Sequence, residues 1–366
     1  MTNPQRRTLL NGLLALGLGS IVAPVAKGES RRAPALPILG RWPSEDRRLA
    51  PASVIGNGVV FAGESRLGLL DLSWESVTWN IRHHLPGGAR FRPRTAAEIV
   101  ICGGQSEIAA WRPGETQALW RYRARDQIGA PCLNGESVCF GDGHRLLVLD
   151  AESGRPRWHF DAIADTRISY APVVAGDTLY VGPGDGRLYA LSLTDGQVRW
   201  QVNRIDEWQY LRQLHVDGNT LIAGSYKEKL HGLDLASGSQ TWEFSAGNFI
   251  NSHHVAAGLA FLWSPTGWIF AIDTATGKTR WRHRTTDYRD SQRNWGALMA
   301  ELTSDASNVY ALDLNNVLHM LAREDGHSRG DFQLPEPVRP FVALIDENRL
   351  LCASNSGDLL LMRIPG

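Results

Sequence analysis

Cysteine is scarce: the 366-residue chain has four, at 102, 132, 139 and 352, and no two are adjacent. So few argue against a disulfide-built scaffold. No His or Cys spacing resembles a metal cluster, which wants three or four ligands from spatial neighbours. Neither sign of charge is in excess, since Lys plus Arg and Asp plus Glu both number 38. No global field therefore favours nucleic acid or a membrane surface. The apolar run from Gly12 to Val22 is short for a membrane-spanning helix. Gly-x-Ser-x-Gly and His-Glu-x-x-His are missing. Gly184-Asp185-Gly186 lies between two β runs rather than between a strand and a helix, which excludes a phosphate cradle.

What the chain has is a repeat. From Pro172 to Trp200, β-branched and aromatic runs alternate with the turns Ala175-Gly176-Asp177-Thr178, Pro183-Gly184-Asp185-Gly186 and Thr194-Asp195-Gly196. That spacing predicts four antiparallel strands and leaves no room for helices. An aliphatic-Asp-x-x-x-Gly-x-x-x-Trp segment recurs as Leu149-Asp150 to Trp158, Leu233-Asp234 to Trp242 and Ile272-Asp273 to Trp281, with Ser192 for Asp in the copy ending at Trp200. The tryptophans at 79, 120, 158, 200, 242 and 281 are spaced by 41, 38, 42, 42 and 39 residues. A seventh copy degrades, with Asp325-Gly326 and Phe332 in place of Gly and Trp, and an eighth stops at Ile364 without an outer strand. Trp42 is an outer strand without partners. Pairing it with the strands from Phe341 to Ile364 closes an all-β, eight-bladed propeller of four-stranded antiparallel blades.

These repeats resemble the PQQ-like, quinoprotein-type β-propeller, whose docking tryptophans lock neighbouring blades. In size and one-domain layout the chain looks most like the BamB-type scaffold proteins. The resemblance implies the fold more than the function, because the superfamily holds both quinone-dependent dehydrogenases and scaffolds without a cofactor. The adjacent-cysteine ring of many quinoprotein alcohol dehydrogenases is absent, and their calcium-binding Glu, Asn and Asp match no motif here. No cofactor is expected, with PQQ and Ca²⁺ as the alternative.

At the N-terminus, Gln5-Arg6-Arg7-Thr8-Leu9-Leu10 ahead of the apolar run reads as a twin-arginine export signal, against a membrane anchor or a Sec signal. Residues 1–28 are assigned to the signal, 29–40 to a linker and 41–366 to one propeller. The expected location is the periplasm, with no integral membrane segment after signal removal. No Cys follows the apolar run, a departure from the BamB-type scaffolds, which are lipoproteins.

Two groups of residues invite chemistry. Cys132 and Cys139 face one another across the first hairpin of their blade, close enough for a disulfide or else as two small buried side chains; Cys102 and Cys352 read as core. The second group stands where the chain enters each innermost strand: Arg47-Arg48, Arg92 and Arg94, Arg167 with Tyr170, Arg212, Asn251 with His253-His254, Arg293 with Trp295, and Arg339. Arginines converging on a channel suit a carboxylate-rich or phosphorylated ligand, or else pair with loop carboxylates and carbonyls. Arg beside Trp also suits a protein interface. Adjacent histidines on a strand point to opposite faces, so at most one of His253 and His254 is expected on the channel. The expected site is therefore Arg48, Arg94, Arg167, Tyr170, Arg212, His253, His254, Arg293, Trp295 and Arg339. It would engage a periplasmic or envelope protein, or a small anionic ligand, and no nucleic acid. The alternative is an enzyme, a PQQ-dependent quinoprotein or one using channel His, Tyr and Arg.

Overall fold

Runs of Val, Leu, Ile and aromatic residues bounded by glycine turns form strands throughout the residues described by this computed structural model, 33–365 apart from 97, 164–165, 185, 204–212, 225–227, 248–249, 251, 265 and 286–301. They build eight four-stranded antiparallel sheets. The blade from Pro172 to Trp200 has strands Val173–Ala175, Thr178–Val181, Arg187–Ser192 and Val198–Asn203, close to the expected runs. Innermost strands of blades one to eight are Ser53–Ile55, Arg94–Ala96, Cys132–Asn134, Val173–Ala175, Gln213–Asp217, Ser252–Ala256, Leu302–Ser304 and Ala343–Asp346. The face where the chain enters these strands is called the top. Turns between third and outer strands consequently lie at the bottom.

Blade eight has the order Ile38–Pro43, Asp358–Arg363, Arg349–Ala353, Ala343–Asp346, so its outer strand comes from the start of the propeller chain. Trp42 pairs with Leu359 and Arg41 with Leu360. The Arg41 Nη1 donates to Asp358 at 2.6 Å. Contact with the ring begins before residue 41, because the Gln333 N–H donates to the Pro34 carbonyl at 2.9 Å and Leu36 is buried.

The described core is eight apolar layers, each shared by two consecutive blades. Second and third strands are covered on both faces, as in Thr178–Val181, and therefore read as continuous apolar runs. Outer strands alternate, as in Val198–Asn203. A blade cannot bury its faces alone; its neighbours complete its core.

The repeated motif is the lock between layers. Indole N–H groups of Trp120, Trp158, Trp200, Trp242 and Trp281 donate to the carbonyls of Ala151, Leu193, Leu235, Thr274 and Arg323 in the next blade, all at 2.8 or 2.9 Å. Each acceptor stands three residues before the motif glycine of that blade. That glycine has positive φ, and a Cβ on it would meet the docked indole: on Gly238 (φ +71°) it would lie 2.7 Å from Trp200. The Asp of the motif shapes the same turn. The Oδ1 of Asp150 accepts from the Ser153 N–H and hydroxyl at 2.8 and 2.7 Å, and Asp234 and Asp273 repeat the pattern with Ser237 and Thr276. The seventh copy carries Phe332 because blade eight takes its outer strand from Ile38–Pro43 and has no such turn to accept an indole N–H.

Gly238→Ala and Gly176→Ala separate backbone from docking. Both glycines have positive φ, but a Cβ on Gly176 meets nothing within 4 Å. Gly176→Ala is expected to cost about 1 kcal/mol of left-handed strain. Gly238→Ala should cost about 1–3 kcal/mol more through overpacking against Trp200. Urea unfolding of the two variants checks the difference.

Candidate binding site in the central channel

Innermost strands of all eight blades contribute to a cavity of about 1030 Å³ along the axis. Its described wall carries Arg92, Arg94, Tyr170, Asn134, Gln213, His215, His253, His254, Thr303 and Ser304 among apolar residues, and no Asp or Glu. A position two residues before the end of the innermost strand recurs around the ring. Ser53, Arg94, Cys132, Val173, His215 and His254 all occupy it by register. Several of them reach polar groups of the next blade. The Ser53 hydroxyl donates to the Pro93 carbonyl at 2.5 Å, the Arg94 Nε to the Pro131 carbonyl at 2.8 Å, and His254 Nε2 lies 3.0 Å from the Ser304 hydroxyl. Arg92, just above, donates to the Ala52 carbonyl at 2.7 Å.

Of the ten residues expected at the site, Arg94, Tyr170, His253 and His254 line the channel together. Arg48, Arg167 and Arg339 do not. Arg48 is 72% exposed on the rim and bonded to Glu64. Arg167 lies 3.3 Å from Asp126 and donates to Gln127. The Arg339 Nη2 donates to the Arg47 carbonyl at 3.0 Å. Arg212, Arg293 and Trp295 lie outside the described residues.

Both His253 and His254 line the channel, where at most one was expected. The two faces of an innermost propeller strand look sideways at neighbouring blades rather than one inward and one outward, so a side chain on either face can reach the axis. His254 turns towards Ser304 of blade seven. His253 turns towards blade five, against Gly224, whose Cβ would lie 2.3 Å from the ring. There it meets His215 edge-on, with centroids 4.8 Å apart and planes at 72°. His215 was not among the expected residues; aligning the hairpins by register would have found it, because it stands where Arg94 and Cys132 stand. Burial pushes His215 down to about 4, and the nearness of His254, whose protonated form would repel it, adds to the shift. Burial also takes His254 to about 4, with Arg323 and Arg92 adding to the shift. His253 is held well below its ordinary value by burial and by the other two histidines. The channel imidazoles are thus neutral at pH 7.

Cys132 and Cys139 are register partners, as expected, and both are free thiols. Cys102 and Cys352 are core residues. A second titratable group lies in the wall between blades six and seven. Buried His319 has Nδ1 2.7 Å from Asp331 and Nε2 3.3 Å from Asp313, with Trp263 edge-on at 6.2 Å. Burial by itself would lower its pKa, but the two carboxylates override that and raise it to about 9. Both ring nitrogens are engaged, so the cluster ties strands together. Among the described residues no group of three or more His, Cys, Asp or Glu could hold a metal, and no helix is long and apolar enough to cross a membrane.

Two stretches, 63–207 and 204–363, match the family described as outer membrane protein assembly factor BamB. No curated protein matches the chain. BamB from Moraxella catarrhalis is similar in structure, with TM-score 0.66 and 18% identity over 90% of this chain and 100% of that one. The computationally designed Ika8 protein has TM-score 0.74 and 12% identity over 91% and 100%. Quinohemoprotein alcohol dehydrogenase from Comamonas testosteroni has TM-score 0.72 and 11% identity over 90% and 76%. Likenesses at such identity carry the fold alone.

The His319 cluster predicts a pH dependence whose sign is fixed. A histidine whose folded pKa is raised stabilises the protein fully below its unfolded value of about 6.5, and that stability is lost as pH rises through about 9. The loss is expected to be about 3 kcal/mol. His319→Gln should flatten this slope in urea unfolding measured from pH 6 to 10.

Proposed function

Because the chain belongs to the family of outer membrane protein assembly factor BamB, we propose that it is a binding propeller, exported to the periplasm by the twin-arginine route, that holds an envelope protein as its partner. Export rests on Arg6-Arg7 ahead of the Gly12 to Val22 run. Partner binding is supported by one feature above the rest. A groove of about 530 Å³ runs between the outer parts of blades five and six, lined by Phe244, Ala246, Gly247, Trp268, Phe270, Thr279 and Arg282. Guanidinium groups of Arg282 and Arg284 stand 5.0 and 5.6 Å from the Trp268 ring. Phe244 and Phe270 meet edge-on at 5.5 Å. Aromatic and Arg side chains in a recess open to solvent are the types that dominate protein interfaces. Their chemistry suits a partner segment that brings a large apolar side chain flanked by carboxylates.

The quinoprotein alternative needs a site for PQQ and its calcium. Calcium takes six to eight oxygen ligands, carboxylates prominent among them. The described channel wall has no carboxylate, so its residues do not fit that group, and no step is assigned to a quinone.

Pull-down from periplasmic extract with the mature protein should recover one envelope partner. Trp268→Ala and Arg282→Glu should each weaken that capture at least tenfold while leaving the unfolding midpoint close to wild type. Capture that survives both changes removes the groove from the reading. Separately, Arg6→Lys with Arg7→Lys should leave the precursor in the cytoplasm, read by fractionation. With PQQ and Ca²⁺ added, no quinone absorbance band and no dye-linked alcohol oxidation are expected.

A further inference from the structure

We propose that Cys132 and Cys139 form an oxidation site reached through the central channel, where a low-molecular-weight disulfide converts the two thiols into an intrachain disulfide across the first hairpin of blade three. The site does not involve the partner groove. Only the setting in which the oxidant is met, an oxidising compartment, rests on the export reading.

The first observation is how the two side chains are paired. Cys132 and Cys139 are register partners on adjacent antiparallel strands, so both project from the same face of the blade. They share the apolar layer between blades three and four. The sulfurs are near enough that charge on Cys132 disfavours charge on Cys139. Facing residues carry Cβ atoms about 4.5–5.5 Å apart, and a disulfide needs about 3.5–4.5 Å. Closing the bond therefore asks for side-chain rotation and a strand movement of about 1 Å. The strand Cys132–Asn134 can supply it, because it is three residues long and stands at the edge of its sheet, with one strand beside it.

The second observation is that the two thiols are unequally reachable. Cys132 is partly buried and lines the cavity of about 1030 Å³. Cys102, Cys139 and Cys352 are each 0% exposed. Cys102 lies in the layer between blades one and two and Cys352 in the layer between blades seven and eight, so neither competes for Cys132. Burial raises the pKa of both paired thiols, and Arg94 works against it at Cys132. Exposure thus sets the order of exchange. Cys132 Sγ, as the thiolate, attacks one sulfur of the oxidant, forms a mixed disulfide and expels a first thiolate. Cys139 Sγ then loses its proton, attacks the Cys132 sulfur, forms the intrachain bond and expels a second thiolate. Two protons leave the cysteines, two electrons pass to the oxidant, and its one disulfide becomes two thiols. Burial of Cys139 blocks the opposite order.

Oxidised glutathione is the probe, added to folded mature chain made without its signal so that export plays no part. Thiols counted after denaturation, by alkylation and mass spectrometry, should fall from the four in the sequence to two. The peptide map should show Cys132 linked to Cys139, with Cys102 and Cys352 still alkylated. Cys139→Ser should stop the reaction with glutathione held on Cys132. Cys132→Ser should slow glutathione uptake at least tenfold. Circular dichroism checks the fold of each variant, and the wild-type result stands without them. Four thiols persisting in the folded wild type, glutathione left on its Cys132, or a link between two chains would overturn the proposal. A failure of export leaves all of these results unchanged and bears on location alone.

Discussion

The fold depends on an indole seated on a glycine. Trp120, Trp158, Trp200, Trp242 and Trp281 each project from an outer strand over the motif turn of the next blade, give the indole N–H to a carbonyl there, and cover a glycine that has no room for a Cβ. Three demands meet in that one turn: a left-handed backbone, an accepting carbonyl and a flat platform. Glycine with an Asp-built turn meets all three, which is why the chain repeats Asp-x-x-x-Gly-x-x-x-Trp rather than a looser apolar pattern. The lock also sets the spacing of the blades, and so the distance at which innermost strands face one another across the channel.

Two turns depart from this lock: in blade two Trp79 donates to the Glu115 carbonyl, one residue after a Gly114 whose Cβ would meet nothing, and blade one departs further. Glu75 holds the glycine position with φ +49°, and Trp42 donates to the Glu75 carbonyl itself instead of to a residue three earlier. This is the joint where the outer strand of blade eight, drawn from the other end of the propeller, meets the first turn of the ring. A left-handed Glu is strained by roughly 1 kcal/mol relative to glycine, a small term beside the apolar layer formed by Leu49, Val59, Phe61, Leu351, Leu359 and their neighbours across the same joint. Closure tolerates an imperfect lock because the layer beneath it is complete.

Most of the architecture was legible because propeller signals are local. Tryptophan spacing gave the blades, the solitary Trp42 gave the seal at Leu359, and hairpin register put Cys132 opposite Cys139. The candidate site was legible only in part. Arg94, Tyr170, His253 and His254 reach the channel, while Arg48, Arg167 and Arg339 turn to Glu64, Asp126 with Gln127, and the Arg47 carbonyl. The difference is a matter of a few residues along a loop, and sequence does not say where a loop turns from rim to strand. The histidine count failed for a different reason. Strand alternation correctly puts His253 and His254 on opposite faces, but in a ring both faces are tangential, and both let a side chain reach the axis. His215 follows from the same geometry once the hairpins are compared position by position.

A neutral chain nevertheless builds an uneven field, and the repeat is the cause. The motif aspartates are fixed to the bottom turns, where Asp150 and Asp273 hold Ser153 and Thr276 and pair with Arg157 and Arg280. The arginine beside it and the local hydrogen bonds take Asp150 down to about 2, so it stays charged and committed to its turn. Carboxylates spent on the turns are absent from the described channel wall, which keeps Arg92, Arg94 and three desolvated imidazoles. The register position that faces the next blade can then vary freely, as Ser53, Arg94, Cys132, Val173, His215 and His254 do, because the lock lies far from it on the outer strand. A lock that constrains the rim of each blade and leaves its innermost strand unconstrained makes one fold host many channels. It is also why likeness of fold to BamB and to a quinohemoprotein dehydrogenase says so little about what this channel holds.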